Sequence, residues 1–152
     1  RRKKRMMSSA ARPVDILMIE DNPHDVRLTM EAFKDAGVPN VLSVASDGEE
    51  ALRFLRREGS YADAPRPDLI LLDLNLPRKS GREVLSEIKQ DPDLKRIPVV
   101  VLTTSGDEKD VSLAYDLHVN AYLTKPMDLE HFIRIVEAVG DFWLKAAVLP
   151  PK

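Results

Sequence analysis

Not one cysteine occurs in the 152 residues, which excludes a disulfide framework and any thiolate-ligated metal. Long apolar runs are missing too. The apolar residues, 43% of the chain, come in short blocks, so no segment is expected to cross a bilayer as a helix. No apolar stretch near the start resembles a secretory signal, and the expectation is a soluble, cytoplasmic protein. An excess of either charge is also absent. The 23 basic and 25 acidic residues leave a net charge of −2, too weak a field to draw the molecule to a polyanion. Neither nucleic acid nor membrane is expected as a direct partner.

The length suits one domain of ordinary size and is short for a domain plus a DNA-binding module. The charge balance is broken only by the RRKKR run at Arg1 to Arg5. Followed by Met6, Met7, Ser8 and Ser9, it reads either as a basic interaction arm or as a mobile tail, the commoner fate of a like-charged terminus. The expected division is a flexible basic tail over 1–12, one domain over 13–144 and a C-terminal tail over 145–152.

From Val14 onward, short strand-like apolar runs alternate with segments of helical period. This is the rhythm of βα units wound around a parallel sheet. Five strands are expected: Val14 to Ile19, Val41 to Ala45, Asp68 to Leu72, Ile97 to Leu102 and Ala121 to Leu123. The third and fourth are apolar at consecutive positions, as strands covered on both faces should be. Val26, Met30 and Phe33 are spaced to share a helix face, as are Ala51, Leu52 and Leu55, and then Val84, Leu85 and Ile88. Asp47 with Glu50 fits a capping box, and Gly37 before Pro39 fits a helix stop. A last helix is expected from Asp128, burying Leu129, Phe132, Ile133 and Val136. The stretch from Arg57 to Pro67 is longer than an ordinary αβ connection and reads as a surface excursion.

A parallel sheet with short βα loops delivers every strand's last residue to the same edge, where ligands bind. Glu20 and Asp21 follow the first strand, Asp73 the third and Thr103 the fourth, while the fifth leads into Lys125. Should the first and third strands be neighbours, three carboxylates converge. Two like charges about 4 Å apart repel by roughly 4 kcal/mol at an effective dielectric near 20. Such a pocket requires a shared proton or a bound cation. Lys125 supplies one positive charge, and an oxygen-only donor set suits Mg²⁺ or Mn²⁺ rather than zinc, with Mg²⁺ favoured. Singly, each residue has an ordinary explanation: Glu20, Asp21 and Asn22 as a helix start, Asp73 as a turn residue, Thr103 as a strand end, Lys125 as a solvated turn. Jointly, in order at successive strand ends, they point to a site.

The motifs IEDNP, LLDLNLP with Gly81 downstream, VVVLTTS and AYLTKP, in that order from Val14 to Val139, closely resemble the receiver domains of two-component response regulators. The resemblance implies a flavodoxin-like receiver fold: doubly wound α/β, with a five-stranded parallel sheet in the order 2-1-3-4-5. It implies Asp73 as phosphoacceptor, Glu20 and Asp21 as the acidic Mg²⁺ site together with Asp73, and Asn75 as donor of a backbone carbonyl to the metal. Thr103 would hydrogen-bond a phosphoryl oxygen and Lys125 would pair with the aspartate and then with the phosphoryl group. Tyr122 matches the aromatic switch position, its other reading being a half-buried strand aromatic. Glu20 stands where many receivers carry Asp, Thr104 where many carry Ala, and Ser105 at a position that tunes phosphoryl lifetime. The long segment before the third strand and the DPDLKRIPVVVLTTS stretch resemble the single-domain regulators paired with bacterial phytochrome kinases. The implied partner is a sensor histidine kinase of that type, and the implied function is to relay its signal by a conformational switch, without enzyme activity beyond assisting the receiver's own phosphorylation and dephosphorylation.

Ile135, Val139 and Phe142, with Trp143, form a second apolar stripe on the last helix. It is expected either to build a homodimer face with the fifth strand and the fourth helix, the one between the fourth and fifth strands, or to pack against the C-terminal tail. Two other classes compete with the receiver. A Mg²⁺-dependent aspartyl-phosphate phosphatase would need a second acid two residues after the nucleophile, where Asn75 stands and cannot exchange a proton. A flavin or nucleotide binder would need a glycine-rich loop after the first strand, where this chain offers acids.

Overall fold

A computed structural model describes residues 13–104, 111–112, 115–116, 119, 121–125 and 129–139. The two expected tails, Ser105, Asp128 and the residues Phe142 and Trp143 lie outside the described residues, as do the side chains of Leu129, Phe132, Ile135 and Val139. The chain forms β1 (Val14–Ile19), α1 (Pro23–Asp35), β2 (Asn40–Ala45), α2 (Gly48–Leu55), β3 (Leu69–Leu72), α3 (Gly81–Gln90), β4 (Val99–Thr103), β5 (Ala121–Thr124) and α4 (Leu129–Val139). Val111, Ser112, Tyr115 and Asp116, between β4 and β5, are helical. α4 is thus the last helix of the sequence pattern. All strands are parallel, in the order β2-β1-β3-β4-β5, as the family resemblance implies.

The consecutive apolar residues of the central strands are divided between two cores by the alternation of side chains along a strand. Leu17, Ile19, Ile70, Leu72, Val99 and Val101 point to one face, where they meet Ala51, Leu52, Leu55, Val84, Leu85 and Ile88 of α2 and α3. Ile16, Met18, Leu69, Leu71, Val100 and Leu102 point to the other, against Ala32 and Phe33 of α1 and Val136 of α4. Each face of the sheet is therefore sealed by a helix pair.

Local signals set the helix ends. Asn22 caps α1 by accepting from the N–H groups of His24 and Asp25, and Pro23 occupies the first turn, where a missing N–H costs nothing. At the other end Gly37 has φ +72°, and the N–H groups of Gly37 and Val38 donate to Lys34 and Phe33 carbonyls at 3.1 and 3.2 Å. This double bond pattern ends the helix as expected from Gly37.

Several expectations shift. Met30 is 53% exposed, whereas Thr29 is buried and donates its hydroxyl to the Asp25 carbonyl at 2.8 Å. The inner stripe of α1 therefore runs through Thr29, Ala32 and Phe33. Its polar member satisfies itself within the helix, which is why an apolar count assigned the place to Met30. Asp47 does cap α2, accepting from Glu50 N–H at 2.8 Å, but the Glu50 carboxylate bonds Ser46 N–H at 2.8 Å and not Asp47 N–H, so the box is incomplete there. A full capping box opens α3, between Ser80 and Glu83. β3 begins at Leu69 and not Asp68. β4 runs Val99–Thr103 and not Ile97 to Leu102, because Pro98 has no N–H to enter the ladder. The excursion from Arg57 to Pro67 contains a short 3-10 turn, Gly59–Tyr61, that leans back on α2. The Tyr61 ring lies 5.5 Å from that of Phe54, and its hydroxyl donates to Glu50 at 2.6 Å.

Candidate functional site

β1 and β3 are neighbours with Ile19 beside Leu72, so the residues that follow, Glu20 and Asp73, leave the sheet side by side. Asp73 N–H donates to the Ile19 carbonyl at 3.0 Å, carrying the pairing one step past the strands. Carboxylate oxygens of Glu20, Asp21 and Asp73 all lie within 4.8 Å of one another, with Glu20 and Asp73 buried and Asp21 exposed. Three oxygen donors at that spacing, with one side open to solvent, could hold a hard divalent cation.

Lys125 enters the cluster from β5. Its backbone N–H is fixed to the Thr103 carbonyl at 2.7 Å, and its ammonium lies 2.8 Å from Glu20 Oε1, 2.7 Å from Asp25 Oδ2 and 3.6 Å from Asp73 Oδ2. Burial pulls the Lys125 pKa down. The hydrogen bonds to Asp25 and Glu20, with the charges of Glu20 and Asp73, outweigh burial and hold it above the ordinary lysine value. Glu20 is 2% exposed, and burial drives its pKa from 4.5 up to about 7. The bond from Lys125 opposes that rise and the charge of Asp73 adds to it.

That shift has a definite sign in stability. A carboxyl whose folded pKa lies above its unfolded value contributes stability that is whole below the unfolded pKa and lost as pH rises through the folded one. In chelator, wild-type protein should therefore lose unfolding free energy between pH 4.5 and about 7 relative to Glu20→Gln, whose side chain does not titrate. Urea melts of the two proteins at about pH 5 and about pH 8 measure this difference, and an equal pH response in both would refute it.

The remaining expected residues assemble around the acids. Thr103, fully buried, ends β4 opposite Thr124 of β5. Asn75 N–H donates to Asp73 Oδ1 at 3.1 Å, and its side-chain amide reaches Thr103 Oγ1 and Thr104 Oγ1, each at 3.4 Å. Tyr122 is half-buried and packs against the core face shared by α2 and α3.

A family model described as the response regulator receiver domain matches residues 16–137. The chain belongs to this receiver family. Response regulator Rcp1 of Synechocystis sp. is 53% identical over 138 residues, covering 91% of this chain and 94% of that protein. The phosphorylated cyanobacterial phytochrome response regulator RcpA matches with TM-score 0.87 and 54% identity, covering 92% of this chain and 100% of the other. The Mn²⁺-bound form of Rcp1 matches with TM-score 0.85 and 52% identity, covering 91% and 100%. The protein is thus a response regulator of two-component signal transduction, and the phosphatase alternative is not favoured.

Three features of this receiver were not read from its sequence. Asp25 joins Lys125, although an acid in a helix's first turn reads as a partner for the helix dipole. Asp47 accepts from Arg78 Nε at 3.2 Å, tying the β2–α2 loop to the β3–α3 loop across 31 positions that no local pattern links. The Asn75 side chain bridges to β4, where the sequence suggested only its carbonyl.

Proposed function

We propose that Asp73 accepts a phosphoryl group from a sensor histidine kinase of a phytochrome-type light-sensing pathway, in the cytoplasm, and that Mg²⁺ is its cofactor. The convergence of Glu20, Asp21 and Asp73 beside a buried Lys125 carries this reading. Mg²⁺ would be held by those three carboxylates and the Asn75 carbonyl, and would offset the repulsion between the incoming phosphoryl group and the acids. The similar RcpA and Rcp1 structures, one phosphorylated and one Mn²⁺-bound, support the proposal by likeness.

In the transfer, an oxygen of the Asp73 carboxylate attacks phosphorus as the P–N bond to the donor histidine breaks, leaving an acyl phosphate on Asp73 and the imidazole on the kinase. The Asn75 N–H on Oδ1 fixes the carboxylate's orientation before attack, so that little motion is needed to align it. Lys125 meets the added negative charge with its ammonium, and Thr103 turns its hydroxyl toward a phosphoryl oxygen. These contacts exist only in the phosphorylated protein and bias Thr103 and Lys125 toward a second arrangement, with Tyr122 following Thr103. Water later hydrolyses the acyl phosphate with the same residues in place.

The proposal includes one folded unit over 13–144 flanked by tails. It also includes self-association through the helical residues between β4 and β5, through β5 and through α4, supported by the spacing of Ile135, Val139 and Phe142. Intact-mass spectra taken after incubation with acetyl phosphate and Mg²⁺ should show one added phosphoryl group, and chelator should abolish the gain. An unmodified mass in folded protein would refute the function.

A further inference from the structure

Asp25 occupies the third position of α1, an ordinary place for an acid. Its side chain, however, turns inward. It is 23% exposed, and its Oδ2 takes a hydrogen bond from Lys125 Nζ at 2.7 Å, the shortest of the three carboxylate contacts to that ammonium. An ammonium has three donors. Two are committed, to Asp25 and to Glu20 at 2.8 Å, while Asp73 at 3.6 Å lies beyond hydrogen-bond reach. The backbone of Asp25 is itself held, with its N–H on Asn22 Oδ1 at 3.4 Å and its carbonyl on the Thr29 hydroxyl at 2.8 Å. Glu20 belongs to the three-carboxylate cluster and Asp25 does not.

We propose that Asp25 is a positioning residue that holds Lys125 in the resting arrangement and competes for its ammonium with the phosphoryl group on Asp73. The inference rests on the phosphoacceptor reading above. An anion attached to Asp73 must draw Lys125 toward itself, and Glu20, Asp25 and Asp73 all contend for the same three donors. Glu20 is shared between Lys125 and the acid cluster. Asp25 is the anchor outside that cluster, so the strength of its pair sets how far the resting state lies below the phosphorylated one. Weakening the pair favours the phosphorylated form without touching the acids that would bind the ion.

The test compares the wild-type chain with Asp25→Asn and Asp25→Glu in three measurements: Mg²⁺ affinity alone, affinity for beryllofluoride in saturating Mg²⁺, and lifetime of the aspartyl phosphate. Asp25→Asn should bind beryllofluoride about five- to tenfold more tightly and hold the phosphoryl group longer by a similar factor, the scale of one partly exposed charge pair. Its Mg²⁺ affinity should stay within about twofold of wild type, and Asp25→Glu, which keeps the charge, should return beryllofluoride affinity toward wild type. A change in melting temperature alone, with beryllofluoride affinity unmoved, would make Asp25 structural and overturn the proposal. Loss of Mg²⁺ affinity in Asp25→Asn would make it a metal ligand and overturn it equally. Wild type that binds Mg²⁺ but neither beryllofluoride nor a phosphoryl group would instead bring down the phosphoacceptor reading, and this inference with it.

Discussion

Asp73→Asn should abolish the phosphoryl gain seen with acetyl phosphate and Mg²⁺ and, in chelator, should raise the melting temperature. The first effect follows because an amide is no nucleophile toward phosphorus at neutral pH, and neither Glu20 nor Asp21 takes its place in the register: Glu20 is bound to Lys125, and Asp21 lies outside the strand-end pair. The second follows from charge. Asp73 stands within 4.8 Å of two other carboxylates and only 3.6 Å, without a hydrogen bond, from one ammonium. Replacing the acid with a neutral residue of its own shape removes two repulsions and one weaker-than-ideal attraction. Glu20 should then ionise more readily, since Asp73 is one of the groups holding its pKa up. Opposite signs for activity and stability distinguish an acid retained for chemistry from one retained for packing. Phosphorylation of the Asn variant would refute the assignment, and a lower melting temperature would refute the charge argument.

Gly81→Ala should cost about 3 kcal/mol of stability and slow phosphoryl capture by about a hundredfold. Gly81 opens α3, directly beneath Asp73. A Cβ there would overlap the carbonyl oxygen of Asp73 and the Cα of Leu74, with the Asp73 carbonyl carbon 2.9 Å away. These are backbone atoms at the end of a buried strand, and they yield far less than the tip of a side chain would. Relief requires either tilting α3 off the sheet or pushing Asp73 out of line with its neighbours. Gly37→Ala is the matched control: its φ of +72° strains any added side chain, but nothing lies within 4 Å. That variant should lose only about 1 kcal/mol and keep its capture rate. Urea melts and timed mass spectra separate the two. A Gly81→Ala protein as stable and as reactive as Gly37→Ala would show that the close approach is immaterial.

The strand ends were legible in the sequence because each central strand is buried on both faces. A run such as Leu69 to Leu72 has no polar residue until the sheet edge, so Asp73 announces where the edge lies. The same holds for Ile19 before Glu20. What was not legible depended on side chains that meet across the sheet edge or turn against a pattern. Asp25 reads as a helix-dipole partner, and only the arrival of Lys125, 100 residues later, gives it another. Met30 fits the apolar spacing of α1 as well as Thr29 fits it poorly, yet a threonine that bonds its own helix carbonyl is apolar in effect. Glu50 lies at the right offset for a capping box, but its two oxygens are taken by Ser46 N–H and the Tyr61 hydroxyl.

The bond between Asp47 and Arg78 links the β2–α2 loop to the β3–α3 loop. Asp47 is also the cap of α2, the neighbouring Gly48 sits so tightly against the Lys79 backbone that no side chain fits, and Gly81 is seated under Asp73. Two loops and two helix starts are thereby cross-braced into one block on the α2–α3 side. On the opposite side, Thr103 and Thr104 touch Asn75 only at the long distance of 3.4 Å. On the braced side, a side chain forced in at Gly48 would therefore press on the β3–α3 loop and on Val84 of α3 at once.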